Sequence, residues 1–317
     1  MFHVSNVPRA HTSPLRGGMK TYVMRRFELE TWMRNIEQFR ITEANMVPPM
    51  VIQVINSALT KKYSLASIRN SWVGAAPLAA EPQARYKALL RTDTPFNQVW
   101  GMSETSCIAT MVHYPEHDPT GSVGRFLPNH DAKLVDDEGR DITDYDVAGE
   151  LCVRGPLIVK GYFNNSEANQ LAWDTDKYFH TGDIAMRRRE NGLWYIVDRK
   201  KELIKVRGFQ VAPAELEGVL LSHPGISDAA VIGITAGGAK ASAGEQGTEL
   251  PRAYLVLKPG SRIGETEVQA YMKERLAGYK QLVGGVKFVD AIPKNASGKI
   301  LKKDLKAIAR LETGAKL

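Results

Sequence analysis

The sequence predicts a mixed architecture, α/β followed by α+β, in two parts. Three observations lead there. The chain has 317 residues, about two ordinary domains. Segments of helical and strand period alternate along it, and short strands with turns take over after Gly121. The charge is divided unevenly: residues 1–198 carry 22 Lys and Arg against 23 Asp and Glu, while residues 199–317 carry 20 against 12. The boundary is therefore placed after Asp198. Residues 1–198 form a larger body of α/β layers with a β-rich subdomain, and residues 199–317 form a small basic α+β module.

The elements follow in order. Phe2, His3 and Val4 read as the end of a strand. A helix is expected over 27–38, with Phe27, Leu29, Trp32, Met33 and Ile36 as its apolar stripe. Pro48 and Pro49 suit a turn and a first helical position, and predict an apolar helix within 46–59. Residues 68–73 read as a buried strand running into Gly74, Ala75, Ala76 and Pro77, whose small side chains let a ligand or a neighbouring element come close. A helix over 81–90 and a strand at 99–101 lead into the loop 101–105. In the β-rich part, strands are expected at 132–135, 149–153, 158–162, 184–187 and 193–197, with turns at 136–139 and Asn191-Gly192. Beyond the boundary, Pro213 opens a helix to 221 with Glu215 in its first turn. Strands at 229–234, 252–257 and 286–288 and helices at 265–276 and 302–310 complete the module, and the Gly/Ala-rich stretch 236–247 reads as a loop.

Composition narrows the function classes. With 43% hydrophobic and 24% charged residues, the chain is neither disordered nor fibrous. It has no run of 18 apolar residues, so no membrane span is expected. Its start lacks a basic stretch followed by an apolar core, so no secretory signal is expected. Cys107 and Cys152 cannot make a disulfide framework in a chain this long and lack metal-site spacing, which points to a reducing compartment. The basic second part suits an anionic ligand: nucleic acid, or a nucleotide or phosphorylated cofactor. A solvated lysine face gives the same charge.

Five segments carry candidate chemistry. In Gln98-Val99-Trp100-Gly101-Met102-Ser103-Glu104-Thr105, a glycine turn presents a hydroxyl and a carboxylate together. Ser103 can hydrogen-bond a phosphate, Glu104 can hold a Mg²⁺ that bridges phosphates, and Trp100 can stack on a base. The bland alternative is a loop in which Ser103 caps a helix. In Tyr178-Phe179-His180-Thr181-Gly182-Asp183, a carboxylate at a tight turn can accept both hydroxyls of a ribose, or serve as a turn residue only. Residues 198–211 place five cations at the domain boundary, among them Arg199, Lys201, Lys205 and Arg207. They are a solvated linker unless the interleaved Leu203, Ile204 and Val206 are buried and hold them in place. In Pro293-Lys294-Asn295-Ala296-Ser297-Gly298-Lys299, a glycine-hinged loop carries a lysine able to reach a developing phosphate charge, or makes an ordinary surface turn. The terminal Ala315-Lys316-Leu317 has the small-basic-leucine form of the peroxisomal address, which implies a peroxisomal location and an import receptor as partner.

Taken together and in this order, these segments resemble the adenylate-forming superfamily, in particular 4-coumarate–CoA ligases, firefly luciferase and fungal acyl-CoA ligases. Gly74-Ala75-Ala76-Pro77-Leu78, Gly149-Glu150-Leu151-Cys152-Val153-Arg154-Gly155-Pro156, Gly161-Tyr162 and residues 210–217 extend the resemblance over essentially the whole chain. It implies that 1–198 is the carboxyl-terminal part of a large adenylate-forming domain and 199–317 a mobile lid. The implied activity is that of an ATP-dependent acyl-CoA ligase, using ATP, Mg²⁺, CoA and a small carboxylic acid, in the style of fungal secondary or toxin metabolism. By the same resemblance Ser103 and Glu104 meet phosphate and Mg²⁺, Asp183 binds the ribose with Arg199 beside it, and Lys299 serves adenylation. Lys201 is the hinge, Lys205 and Gln210 approach the adenylate, and Arg207 and Gly208 belong to the CoA side. Ala75, Gln98 and Val99 line the acyl-adenylate pocket, the 100–102 stretch contacts nucleotide, and His3 stands at the pocket mouth.

The departures from the pattern are specific. Val99 stands where the family usually has Gly, and Ser103 where Thr is usual. The chain is expected to lack the family's amino-terminal part and the phosphate-cradling loop in it, for which Arg16-Gly17-Gly18-Met19-Lys20 is no substitute. Losing such donors costs transition-state stabilisation. Two other readings therefore stand beside the ligase: an impaired remnant that still binds nucleotide, and a basic nucleic-acid-binding protein, for which no recognised motif is present.

Overall fold

A computed structural model describes residues 3–235, 248–295 and 299–312. The chain divides into two compact units, Met1–Ile196 and Val197–Leu317.

The first unit opens on a helical turn, Val4–Asn6, rather than the strand end expected there. His3 caps it: its Nδ1 lies 2.8 Å from Ser5 Oγ and accepts from the Ser5 amide, so the local side chain captures the backbone before any strand can. Two short helical segments follow, Pro8–Thr12 and α1 (Ser13–Gly17). In α2 (Leu29–Gln38), Glu28 accepts from the amides of Glu30 and Thr31 at 2.9 and 2.7 Å, which sets the helix start. Met33 and Ile36 are buried along its inner stripe, each stabilising by about 1.5–3 kcal/mol.

Strand β1 (Glu43–Met46) was not expected. It pairs in parallel with β2 (Asn70–Val73) and buries Ala44 and Met46. The helix expected across 46–59 is consequently shorter, α3 (Pro48–Ile55), with the prolines in its first turn where no amide is missed. After α4 (Ala80–Lys87) come β3 (Phe96–Met102), β4 (Cys107–Met111) and β5 (Arg125–Phe126). The sheet order is β1-β2-β3-β4-β5, parallel across β1, β2 and β3 and antiparallel beyond. One core lies between this sheet and the helices, around Met33, Val51, Tyr86 and Phe96.

The β-rich part holds β6 (Asp131–Val135), β7 (Asp141–Ile142), β8 (Gly149–Arg154), α5 (Ser166–Ala172), β9 (Phe179–Arg187) and β10 (Trp194–Arg199). Its strand order is β10-β9-β8-β6-β7. The strand expected at 158–162 is a loop. Its backbone is spent elsewhere: Ile158 N on Gly155 O at 3.1 Å, Val159 N on Glu104 O at 2.9 Å and Tyr162 N on Asn169 Oδ1 at 2.6 Å. Trp100, Leu151, Val153 and Phe179 join this sheet to β3 and β4 in a second core.

The second unit begins with a hairpin, β11 (Ile204–Val206) and β12 (Phe209–Val211), then α6 (Pro213–Leu221). A three-stranded sheet follows: β13 (Ile226–Thr235) runs antiparallel to β14 (Glu249–Leu257), which pairs in parallel with β15 (Val286–Phe288). Helices α7 (Glu265–Lys273) and α8 (Lys302–Glu312) complete it, α7 stopping short of the expected 276. The core gathers Ile204, Val206 and Val211 of the hairpin with Leu216, Leu220, Val231, Leu255 and Met272. The loop expected at 236–247 lies outside the described residues.

Candidate functional site

Strand β3 delivers the site of the first unit. Gln98 points inward and is fully engaged: its Oε1 accepts from Leu78 N at 2.9 Å, and its Nε2 faces the carbonyls of Leu78 and Gly121 at 2.9 and 3.1 Å. Gln98 therefore binds the Gly74–Leu78 segment to the sheet instead of offering its amide to a ligand. Ala75 is exposed and held at φ 75°, a left-handed conformation unusual for alanine. A Cβ on Gly74 would stand 2.9 Å from Val99 Cγ2, so glycine there lets the segment close on β3.

The strand turns at Gly101, where a Cβ would lie 1.8 Å from Cys107 O. The loop beyond is closed by Thr105, a residue to which no role was assigned. Its buried Oγ1 accepts from Met102 N at 2.9 Å and faces Cys107 O at 2.9 Å. No helix follows Ser103; strand β4 does, so the helix-cap reading of Ser103 fails and its hydroxyl is exposed. Beside it, Glu104 is half-buried, and the Tyr162 hydroxyl donates to its Oε1 at 2.8 Å. The 101–106 and 157–162 loops are further joined by Ser106 Oγ donating to Leu157 O at 2.7 Å.

Trp100 does not present an open ring. It is 7% exposed, packs edge-on to Phe126 with centroids 6.2 Å apart, and donates Nε1–H to Asp183 Oδ2 at 2.8 Å. The edge of the ring thus meets the other acidic candidate, a contact the sequence did not suggest. Asp183 is itself 4% exposed, on β9 after Gly182 at φ 68°. Gly182 N donates to Glu150 Oε1 at 3.3 Å. The first unit thus brings Ala75, the 98–104 strand and loop, and Asp183 together; His3 sits on the turn that lies against β4. Close by, Cys152 lies 3.4 Å from His180 Nδ1, but burial pushes its thiol up to about 12, which leaves it un-ionised and inert.

The second unit carries the remaining candidates. Strand alternation decides their faces: Leu203, Ile204, Val206 and Val211 are buried, while Lys205 and Gln210 are cross-strand partners on the exposed side. Arg207 and Gly208, at φ 46° and 84°, form the two-residue turn at the tip. Lys201 is exposed and Arg199 half-buried at the start of the unit. Asn295 Oδ1 accepts from Lys299 N at 2.9 Å. Lys294 pairs with Asp228 at 2.6 Å. Ala315, Lys316 and Leu317 lie outside the described residues.

A buried charge cluster beside the boundary was not anticipated. Lys302 Nζ lies 3.5 Å from Glu202 Oε2 and 3.3 Å from Glu217 Oε1. Asp198 accepts from the amides of Arg199 and Ala214 at 2.7 and 3.0 Å. Burial raises the carboxyls of Asp198 and Glu217 above their ordinary range, although Lys302 opposes this. Burial would lower the Lys302 ammonium, but Glu217, Asp198 and Glu202 outweigh it and raise it.

Two family models match this sequence: AMP-binding enzyme over residues 1–163 and AMP-binding enzyme C-terminal domain over residues 215–299. The chain belongs to the AMP-binding enzyme family. Acyl-CoA synthetase ACTT5 of Alternaria alternata is 51% identical over 98% of this chain and 53% of its own length. 4-Coumarate-CoA ligase 1 of Narcissus pseudonarcissus is 38% identical over 97% of this chain and 55% of its own. Among solved structures, o-succinylbenzoate CoA synthetase of Bacillus subtilis in complex with AMP superposes with a TM-score of 0.78 at 29% identity, covering 96% of this chain and 59% of that one. The chain thus has the fold of adenylate-forming enzymes and spans about half the length of the curated relatives it matches.

Proposed function

We propose that this member of the AMP-binding family carries the adenylate-handling part of an ATP-dependent acyl-CoA ligase. A substrate carboxylate oxygen attacks the α-phosphorus of ATP and pyrophosphate leaves. The CoA thiolate then attacks the acyl carbonyl and AMP leaves. The observation that carries this reading is the Trp100–Asp183 contact. It sets a buried carboxylate against the strand whose end carries Ser103 and Glu104. A ribose acceptor and a phosphate-side loop are thereby joined in one fold. The family of the chain and its acyl-CoA and coumarate-CoA ligase relatives support the same chemistry.

Within this reading Asp183 accepts the ribose hydroxyls and the Ser103 hydroxyl donates to phosphate. Glu104 suits a hard cation. Among the described residues no group of three or more His, Cys, Asp or Glu could hold a metal alone, so Mg²⁺ would take its other ligands from phosphate and water. Mg²⁺ supplies charge neutralisation on the phosphates. Ala75 and Val99 border the acyl group, and the valine side chain narrows the space. Arg199 stands beside Asp183 at the ribose, Lys299 serves the adenylation step, Lys205 and Gln210 approach the adenylate, and Arg207 and Gly208 serve the CoA side in thioester formation, with Lys201 as the hinge. The substrate is a small carboxylic acid, for which fatty and aromatic acids serve as the assay panel. Ala315, Lys316 and Leu317 suit peroxisomal import through its receptor. ATP–pyrophosphate exchange with a panel of such acids, and calorimetric titration with AMP, test the reading. Exchange with at least one acid is expected; absence of both exchange and AMP binding refutes it.

A further inference from the structure

We infer that Trp100 is a positioning residue for Asp183, so that ribose recognition depends on an indole N–H set in the core. The inference rests on the ribose-binding reading of Asp183 above. The two residues lie 83 positions apart on different sheets, both buried, and meet at 2.8 Å. An indole N–H can only donate, so the Asp183 oxygen must accept and the polarity of this bond is fixed. The ring has little freedom: Phe126 stands edge-on to it, and Trp194 stands edge-on to Phe126 with centroids 5.2 Å apart. The N–H is therefore aimed in one direction.

The main chain of Asp183 is fixed by a different route. Asp183 N donates to Thr181 Oγ1 at 3.1 Å, and that hydroxyl donates to Leu151 O at 2.7 Å. Thr181 thus sets where the backbone lies, and Trp100 sets the plane of the carboxylate. Two vicinal hydroxyls can both donate to one carboxylate only when that plane is right. A phenylalanine at position 100 would keep an apolar ring in the core and lose the constraint.

The test compares AMP with its 2′,3′-dideoxy analogue by calorimetry on the whole chain. The wild type is expected to prefer AMP by about tenfold or more, the worth of a charge-assisted hydrogen bond. In Trp100→Phe the preference, read as the ratio of the two affinities, should fall below about threefold. On an Asp183→Asn background, Trp100→Phe should change the preference no further, because both substitutions act through one carboxylate. An unchanged preference in Trp100→Phe, or full additivity with Asp183→Asn, overturns the inference alone. A wild type that binds neither nucleotide overturns the ligase reading and this inference with it. Should Trp100→Phe fail to fold, the indole N–H resonances of the five tryptophans in the wild type decide the matter. One must shift with AMP and not with the analogue; identical responses overturn the inference.

Discussion

Replacing Lys302 with methionine removes the ammonium that faces Glu202 and Glu217 and leaves the stem in place. The side chains are 13%, 20% and 14% exposed, so water does little to screen what remains. Breaking a buried ion pair from one side costs about 3–5 kcal/mol, because the carboxylates keep their desolvation cost and lose their partner. The carboxyls of Asp198 and Glu217 already titrate above their ordinary range. A raised acid binds more protons folded than unfolded, so its contribution turns unfavourable as pH rises from the unfolded value through the folded one. Without Lys302 those carboxyls rise further. The deficit of Lys302→Met should therefore be largest at neutral pH and shrink on acidification as Asp198 and Glu217 take up protons. Lys302 has the opposite consequence in the parent chain: its raised value adds stability that is lost only at alkaline pH. Hydrogen exchange of the buried β13 and β14 amides, compared between the two chains across pH, reads the difference without assuming one transition for two units. A deficit below about 1 kcal/mol that does not vary with pH would refute the reasoning.

Four further outcomes follow from the site. Gly101→Ala should lose about 3 kcal/mol or fail to fold, as a thermal melt would show, because the added carbon meets the Cys107 carbonyl and not a movable side chain. Tyr162→Phe should raise the Mg²⁺ concentration needed for half-maximal ATP binding by about tenfold, with little effect on AMP binding without metal, since its hydroxyl holds Glu104. Lys299→Ala should slow pyrophosphate exchange far more than thioester formation from preformed acyl-adenylate; equal losses would contradict the assignment of that lysine to the first step. Removing Leu317 from a fluorescently tagged chain should leave it in the cytosol, and persistent peroxisomal puncta would contradict the address.

The burial of Leu203, Ile204 and Val206 was legible in the sequence, because apolar side chains set between cations want a core, but the hairpin that pairs Ile204–Val206 with Phe209–Val211 and turns Lys205 and Gln210 outward was not read from it. The 158–162 stretch carries a similar apolar pattern, yet its amides go to the Glu104 carbonyl and the Asn169 side chain, partners that no window around it contains. Strand β1 is four residues long and finds its partner across an intervening helix, which hides it from periodicity. Lys302 was invisible as a structural residue for the same reason. Asp198, Glu202 and Glu217 come from a strand end, a helical turn and a helix, and only folding brings them near one ammonium. Trp100 was picked out for its flat ring, whereas its N–H is what meets Asp183.

The amide of Gln98 fastens both main-chain groups of Leu78 to the neighbouring strand. A seam stitched on both edges cannot gape to admit a bulkier guest. If Ala75 and Val99 border the acyl group as proposed, side-chain bulk at those two positions governs selectivity there, and altering it calls for trimming or filling them with loop length left alone.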